Sequence, residues 1–176
     1  MKNSIFALLV VGLAATAPAL AVDGYLAEIG GGEGARSLRV GMTRYWDQQW
    51  LTEGHWHVTG YWEASLAHLS SDRPKAKDLA DVAITPVFRF RPNASGGAQP
   101  YWDAAVGLHL LTGTRLDSRH NLGSALQFGP MVGLGVTFGE KSQYDLGYRY
   151  QHISNGGIRE PNDGLELHVV RLTYLY

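Results

Sequence analysis

The sequence predicts an all-β chain, an eight-stranded antiparallel transmembrane β-barrel, and three observations carry that prediction. Beyond residue 21 the chain is a succession of segments rich in Val, Leu, Thr, Tyr, Trp and Gly, separated by turn-forming clusters at fairly even spacing. Within these segments large apolar side chains alternate with polar or charged ones, the period-two pattern of strands with two unlike faces. The same stretch contains no run of about 18 apolar residues able to cross a bilayer as a helix. A closed barrel is the other spanning structure, because backbone groups in hydrocarbon must find their partners within the protein.

The elements follow in chain order. Residues 1–21 read as a signal peptide: Lys2 supplies a short positive region, Ile5 to Leu13 an apolar run, and Ala19-Leu20-Ala21 a small-residue cleavage pattern. Residues 22–176 then form a single barrel domain, a length ample for closing eight short strands. Strands are expected at 24–31, 37–47, 55–70, 78–91, 99–112, 124–138, 142–154 and 164–176. Their connections fall into two alternating sets. Gln48 to Gly54, Pro92 to Ala98 and Gly139 to Ser142 share one end; Gly32 to Arg36, Ser71 to Lys77, Gly113 to Gly123 and Asn155 to Asp163 share the other. With both termini on the periplasmic side, the second set faces outward.

The faces sort cleanly. In the seventh strand Tyr144, Leu146, Tyr148, Tyr150, His152 and Ser154 oppose Asp145, Gly147, Arg149, Gln151 and Ile153. In the third, Trp56, Val58, Trp62, Ala64 and Leu66 oppose His55, His57, Thr59, Glu63 and Ser65; in the fourth, Val82, Ile84, Phe88 and Phe90 oppose Asp81, Thr85, Arg89 and Arg91. A soluble barrel would have to pack the large aromatics inside. A membrane barrel turns them outward, forms aromatic girdles with them and pairs the charges in its lumen, which also accounts for Tyr174 and Tyr176 ending the chain on one face. Arg44 and His68 fall on the lipid side near strand ends, where they reach headgroups.

Composition excludes several functions. With no cysteine there is neither a disulfide framework nor a thiolate metal site. The net charge is −1 for the whole chain and one unit more negative without Lys2, which gives no basis for nucleic-acid binding. No metal or other cofactor is implied.

Chemistry concentrates in Gln151 to Glu166. His152 and Ser154 are two apart on one strand, hence on one face near its outward end. Glu166 enters from the next strand and, in an antiparallel pair, lies across from His152 within carboxylate–imidazole reach. Carboxylate, imidazole and hydroxyl in that order are the parts of an activated serine nucleophile. Asn155, Gly156, Gly157 and Asn162 place amide donors nearby for an oxyanion. On spacing alone, His, Ser and Glu at a strand rim read first as interfacial polar residues, Asn-Gly-Gly and Pro-Asn-Asp-Gly as turn formers, and His168 as a rival base or a girdle residue.

The pattern His152-x-Ser154-Asn155-x-Gly157, followed by Pro161-Asn162-x-Gly164-x-Glu166, resembles the active-site hairpin of the outer-membrane lipid A 3-O-deacylases, the PagL family. Gly113-Thr114-Arg115 with Asn121-Leu122-Gly123-Ser124 is similar to that family's preceding long loop, and Gly60-Tyr61-Trp62 to its third strand. The resemblance is specific in the last quarter of the chain and loose in the first two strands and in Ser71 to Asp78. It implies a multi-pass protein of the bacterial outer membrane, surrounded by outer-membrane lipid, with its serine hydrolase site facing the outer leaflet. Lipid A in lipopolysaccharide is the implied substrate, with Ser154 as nucleophile, His152 as base and Glu166 as its partner. Asn155, Gly157 and Asn162 are the oxyanion or substrate-binding candidates. Arg73, Lys75, Lys77, Arg115, Arg119 and Arg159 sit in outward loops as candidate phosphate ligands or as solvated charges. Two other readings stand beside this one: a non-catalytic structural or adhesive barrel, and an esterase or acyltransferase acting on phospholipid. A homodimer is left open.

Overall fold

The computed structural model describes residues 22–176 apart from 94–96, so the expected signal peptide, residues 1–21, lies outside the described residues. Eight strands form: β1 (Gly24–Gly32), β2 (Ala35–Tyr45), β3 (Trp56–Ser71), β4 (Leu79–Pro92), β5 (Gln99–Leu111), β6 (Leu126–Phe138), β7 (Tyr144–Ile153) and β8 (Leu165–Leu175). Each pairs antiparallel with its neighbour in sequence, and β8 returns to pair with β1, closing the barrel. Closure leaves no free sheet edge, the condition for strands in hydrocarbon.

The connections sort into the two expected sets. At one end, here the terminal end, lie both strand termini and the turns 46–55, 93–98 and 139–143. At the other, the loop end, β1 and β2 meet through Glu33-Gly34, both at positive φ (52° and 86°), a primed hairpin turn whose twist matches the strands. The remaining connections there are L2 (72–78), L3 (112–125) and L4 (154–164).

The predicted faces hold throughout the wall. Ile29, Leu38, Val82, Ile84, Leu108, Leu134, Leu146 and Leu172 point outward and are exposed, whereas Glu28, Arg39, Glu63, Asp81, Arg89, Asp103, Asp145, Arg149 and Arg171 point inward and are buried. A greasy exterior around a charged interior is the reverse of a soluble barrel and marks the outside as the lipid face. Val58 is an exception: it is on the outer face yet buried. The turn 46–55 continues the β2–β3 hairpin, with Trp46 N–H donating to Gly60 O (2.8 Å) and Trp50 N–H to Val58 O (2.9 Å). The Trp46 ring lies where a Gly60 side chain would be and contacts Trp50, Trp62 and Phe88 edge-on, while Trp50 tilts against Phe88 in the same girdle.

Charges in the lumen are tolerated because they neutralise one another. Arg149 bridges Glu28 (2.7 Å) and Glu63 (2.9 Å), while Arg39 holds Glu28 (3.0 Å). Arg89 links Asp103 (2.8 Å) to Asp145 (2.5 Å). Arg171 stands 3.6 to 3.7 Å from Glu28, Glu63 and Asp145. Tyr61 and Tyr101 line the same network through hydrogen bonds to Asp103 and Asp145. Above it, towards the loop end, the lumen turns apolar: Leu116 and Leu122 of L3 insert among Leu69, Leu79, Leu111, Ile153, Leu165 and Leu167, all buried.

Candidate active site

Two strand ends build the site. Register between β7 and β8 sets His152 directly opposite Glu166 and Ile153 opposite Leu165. Ile153 and Leu165 turn into the apolar plug, so alternation sends His152 and Glu166 to the outer wall, each roughly one-third exposed at the side chain (38% and 32%). His152 Nδ1 lies 2.6 Å from Glu166 Oε1. A carboxylate only accepts, so Nδ1 carries a proton toward Glu166, and Nε2 is the ring nitrogen left to act as a general base.

Ser154 lies one residue beyond the end of β7. Its backbone crosses to β6 instead, donating to Phe128 O (3.0 Å) and accepting from Phe128 N–H (2.7 Å). The three sequence-predicted residues are thus gathered on adjacent strand ends, with His152 and Glu166 in direct contact. Among the described residues no hydrogen bond joins Ser154 Oγ to His152. Such contacts often tighten only when substrate is present. His168, the rival base, sits two register pairs farther down, opposite Tyr150, with Nδ1 2.6 Å from the Tyr148 hydroxyl.

L4 arranges the donors. Asn155 is buried and spends its groups on the loop: its N–H donates to Asn162 Oδ1 (3.0 Å), and its Nδ2 to Leu122 O (2.9 Å) and Arg159 O (2.6 Å). The hydrogen bonds of the described residues leave the N–H groups of Gly156 and Gly157 and the Asn162 Nδ2 uncommitted. Both glycines have positive φ (67° and 78°), which turns the chain sharply after Ser154.

Sequence reading missed what lies around these groups. Gly164 has φ 73°, and a Cβ there would come 2.9 Å from His152 Cε1, so the imidazole rests on bare backbone. L3 supports L4 from beside it: Asn121 N–H donates to Asp163 Oδ2 (2.8 Å), and Asp163 N–H to Asn121 O (3.2 Å). Asp117 anchors L3 in turn, accepting from Ser71 Oγ (2.6 Å), His120 Nδ1 (2.9 Å) and the N–H groups of Arg119 and His120. Burial alone would raise the Asp117 pKa, but these hydrogen bonds outweigh it and hold the carboxyl well below the usual carboxylate range. Gly164 was visible as a turn former and as part of the hairpin motif, but not as a contact of His152; Asp117 and His120 were not singled out.

A groove runs from the site along the outer wall. Tyr150 and His152 stand at one end, Pro130 and Val106 along it and Pro86 and Phe88 beyond, enclosing about 680 Å³. Pro86 and Pro130 have no N–H for the sheet, and Ala104 leaves the wall low between Phe88 and Val132. Of the loop cations, Arg73 donates to Glu33 O (2.7 Å). Lys75, Lys77, Arg115, Arg119 and Arg159 form no ion pair among the described residues.

Comparison with known proteins places this arrangement. The family model described as lipid A 3-O-deacylase (PagL) matches residues 36–175. The lipid A deacylase PagL of Pseudomonas aeruginosa is 32% identical over 136 residues, covering 77% of this chain and 75% of the relative. That of Bordetella bronchiseptica is 37% identical over 95 residues, covering 54% and 48%. The crystal structure of the outer membrane enzyme PagL superposes with a TM-score of 0.77 at 28% identity, over 87% of this chain and 99% of the other. Neisserial surface protein A superposes at 0.52 with 11% identity, over 87% and 94%, a likeness of fold alone. A family match running from β2 to the end of β8, with a relative aligned over three-quarters of its length, makes this chain a member of the lipid A 3-O-deacylase (PagL) family.

Proposed function

We propose that this chain hydrolyses the ester-linked acyl chain at the 3 position of lipid A in the outer leaflet, with Ser154 as nucleophile. The observation that carries this reading is the 2.6 Å His152–Glu166 contact on the lipid-facing wall, two residues from Ser154 and at the head of an apolar groove. Site, fold and family membership all support it. In the first step Ser154 Oγ attacks the ester carbonyl while His152 Nε2 takes its proton, and Glu166 stabilises the imidazolium. The oxyanion is held by Gly156 N–H, Gly157 N–H and Asn162 Nδ2, with Asn155 acting to position Asn162. The sugar 3-oxygen leaves with the proton from His152. Water, deprotonated by the same imidazole, then cleaves the acyl-serine, releasing the fatty acid and restoring Ser154. The departing acyl chain lies in the groove between Tyr150 and Phe88, so the reacting carbonyl never leaves the membrane surface.

Mass spectrometry of lipid A from cells with and without the protein tests this directly. Loss of one ester-linked acyl mass is expected, and purified protein should release fatty acid from lipopolysaccharide but not from phospholipid supplied in parallel. Unchanged lipid A would favour the non-catalytic barrel; release from phospholipid alone would favour the other esterase reading.

Gly164→Ala is expected to lower kcat about 100-fold, since an ångström-scale displacement of a catalytic group costs on that order. The barrel should still form, because the residue lies in L4 at the strand margin. Near-normal kcat would detach Gly164 from His152 placement.

A further inference from the structure

A second site lies at the opposite end of the barrel from Ser154. Between the turn 139–143 and the last residues of β8 the lumen opens into a cavity of about 660 Å³, whose lining includes Tyr45, Arg91, Lys141, Gln143 and Tyr174. The charge at its centre is unusual for this protein. Arg39, Arg89, Arg149 and Arg171, the other lumen arginines, all lie within ion-pair distance of carboxylates. Arg91 forms no ion pair or hydrogen bond among the described residues, and its Nε is buried without a partner. Asp103 and Asp145, whose fields reach Arg91, are both engaged by Arg89. A guanidinium Nε–H buried without an acceptor forfeits the hydrogen bond that it would have made to water.

The surroundings favour an anionic occupant. Lys141 adds a second cation, set against the one side-chain carboxylate of the lining, Glu140. Gln143 has its Oε1 occupied by the Lys141 N–H (2.9 Å), which turns the amide so that its Nε2 donors stay uncommitted. Tyr45 and Leu175 supply apolar wall beside these donors. Guanidinium forks match the planar or tetrahedral oxygens of carboxylate and phosphate.

We propose that this cavity binds a small anion, a carboxylate or phosphate monoester with an apolar body, through Arg91. The site is separate from the hydrolytic one and does not depend on it. The anion's charged end takes the Arg91 fork and the Gln143 amide, and its body packs on Tyr45 and Leu175.

Two measurements on the full detergent-solubilised barrel test this, with inorganic phosphate, phenyl phosphate and phenylacetate as probes. First, the Arg91 side-chain Nε–H resonance should shift saturably with an aryl anion. Arg91→Gln should weaken binding at least about tenfold, as expected for loss of a charge-assisted hydrogen bond. Phenyl phosphate against phenylacetate separates the two head groups, and inorganic phosphate measures what the apolar body adds. Second, modification of Arg91 by phenylglyoxal, mapped by peptide mass spectrometry on the unaltered chain, should slow when the anion is present. This arm needs no variant and stands even if Arg91→Gln fails to fold. Shifts that do not saturate, binding equal in Arg91→Gln, or modification at one rate with and without the anion would each overturn the site.

Discussion

Ser154→Ala is expected to yield a folded, heat-modifiable barrel that releases acyl chains from lipopolysaccharide at least about 10⁴-fold more slowly than the parent. Loss of one member of a nucleophile–base pair removes covalent catalysis entirely and leaves only binding and oxyanion contacts, which is why such losses run to many powers of ten. The fold should be indifferent to the change. Ser154 contributes to the barrel through its backbone exchange with Phe128, which alanine preserves. The hydroxyl takes part in none of the protein's hydrogen bonds among the described residues. Glu166→Gln should give a smaller loss, on the order of 10² to 10⁴-fold, because the imidazole survives but its tautomer and its cationic state lose support. Retained activity in Ser154→Ala would remove that residue from its role, while equal loss in a misfolded, non-heat-modifiable product would leave stability as the cause; the gel separates the two.

The second large effect is on stability. Arg149→Leu is expected to destabilise the barrel by about 3–5 kcal/mol, because it strands buried charges whose desolvation was offset only by pairing. Arg149 is the shared partner of Glu28 and Glu63, and it also donates to the Tyr61 hydroxyl (2.9 Å). With it gone, Arg39 still faces Glu28, but Glu63 keeps only the looser Arg171 contact at 3.7 Å. Arg36→Leu provides the contrast, since Arg36 pairs with Asp72 where both side chains are about two-thirds exposed (68% and 67%). Solvent and salt screen such a pair, and the change there should stay below about 1 kcal/mol. Denaturant unfolding of both variants in one detergent compares them. A cost for Arg149→Leu no greater than for Arg36→Leu would mean that the lumen network contributes nothing measurable to the fold.

Much of this molecule was written in its period-two pattern. Asp145 and Arg149 alternate with Leu146, Tyr148 and Tyr150, and that alternation separated two faces, while the many large aromatics, too bulky for a small lumen, assigned the apolar face to lipid. The same logic put His152 on the outer wall, and hairpin register then brought Glu166 opposite it. The predicted strand positions agree with the observed ones to within about two residues for the same reason. Ser154 was less legible: alternation assigned it to the outer face, but the residue belongs to a bridge with β6 and is nearly buried at 9% exposure.

What spacing did not reveal lies in contacts between segments far apart in the chain. Asn155 looked like an oxyanion donor from its place beside Ser154, yet its donors hold Leu122 and Arg159 carbonyls and Asn162. Asp117 and His120 carried no sequence signal at all, yet both are buried, Asp117 bonded to Ser71 and His120 to Asp117. The unpaired state of Arg91 likewise depends on which carboxylates the closed lumen brings within reach. The sequence by itself determined the barrel, its inside and outside, and the two strands that meet at the site, since these follow from local alternation and hairpin pairing. Only the tertiary structure decided how L3 and L4 interlock, which amides stay free and which charge is left alone, because those outcomes depend on three-dimensional packing between residues that no short period relates.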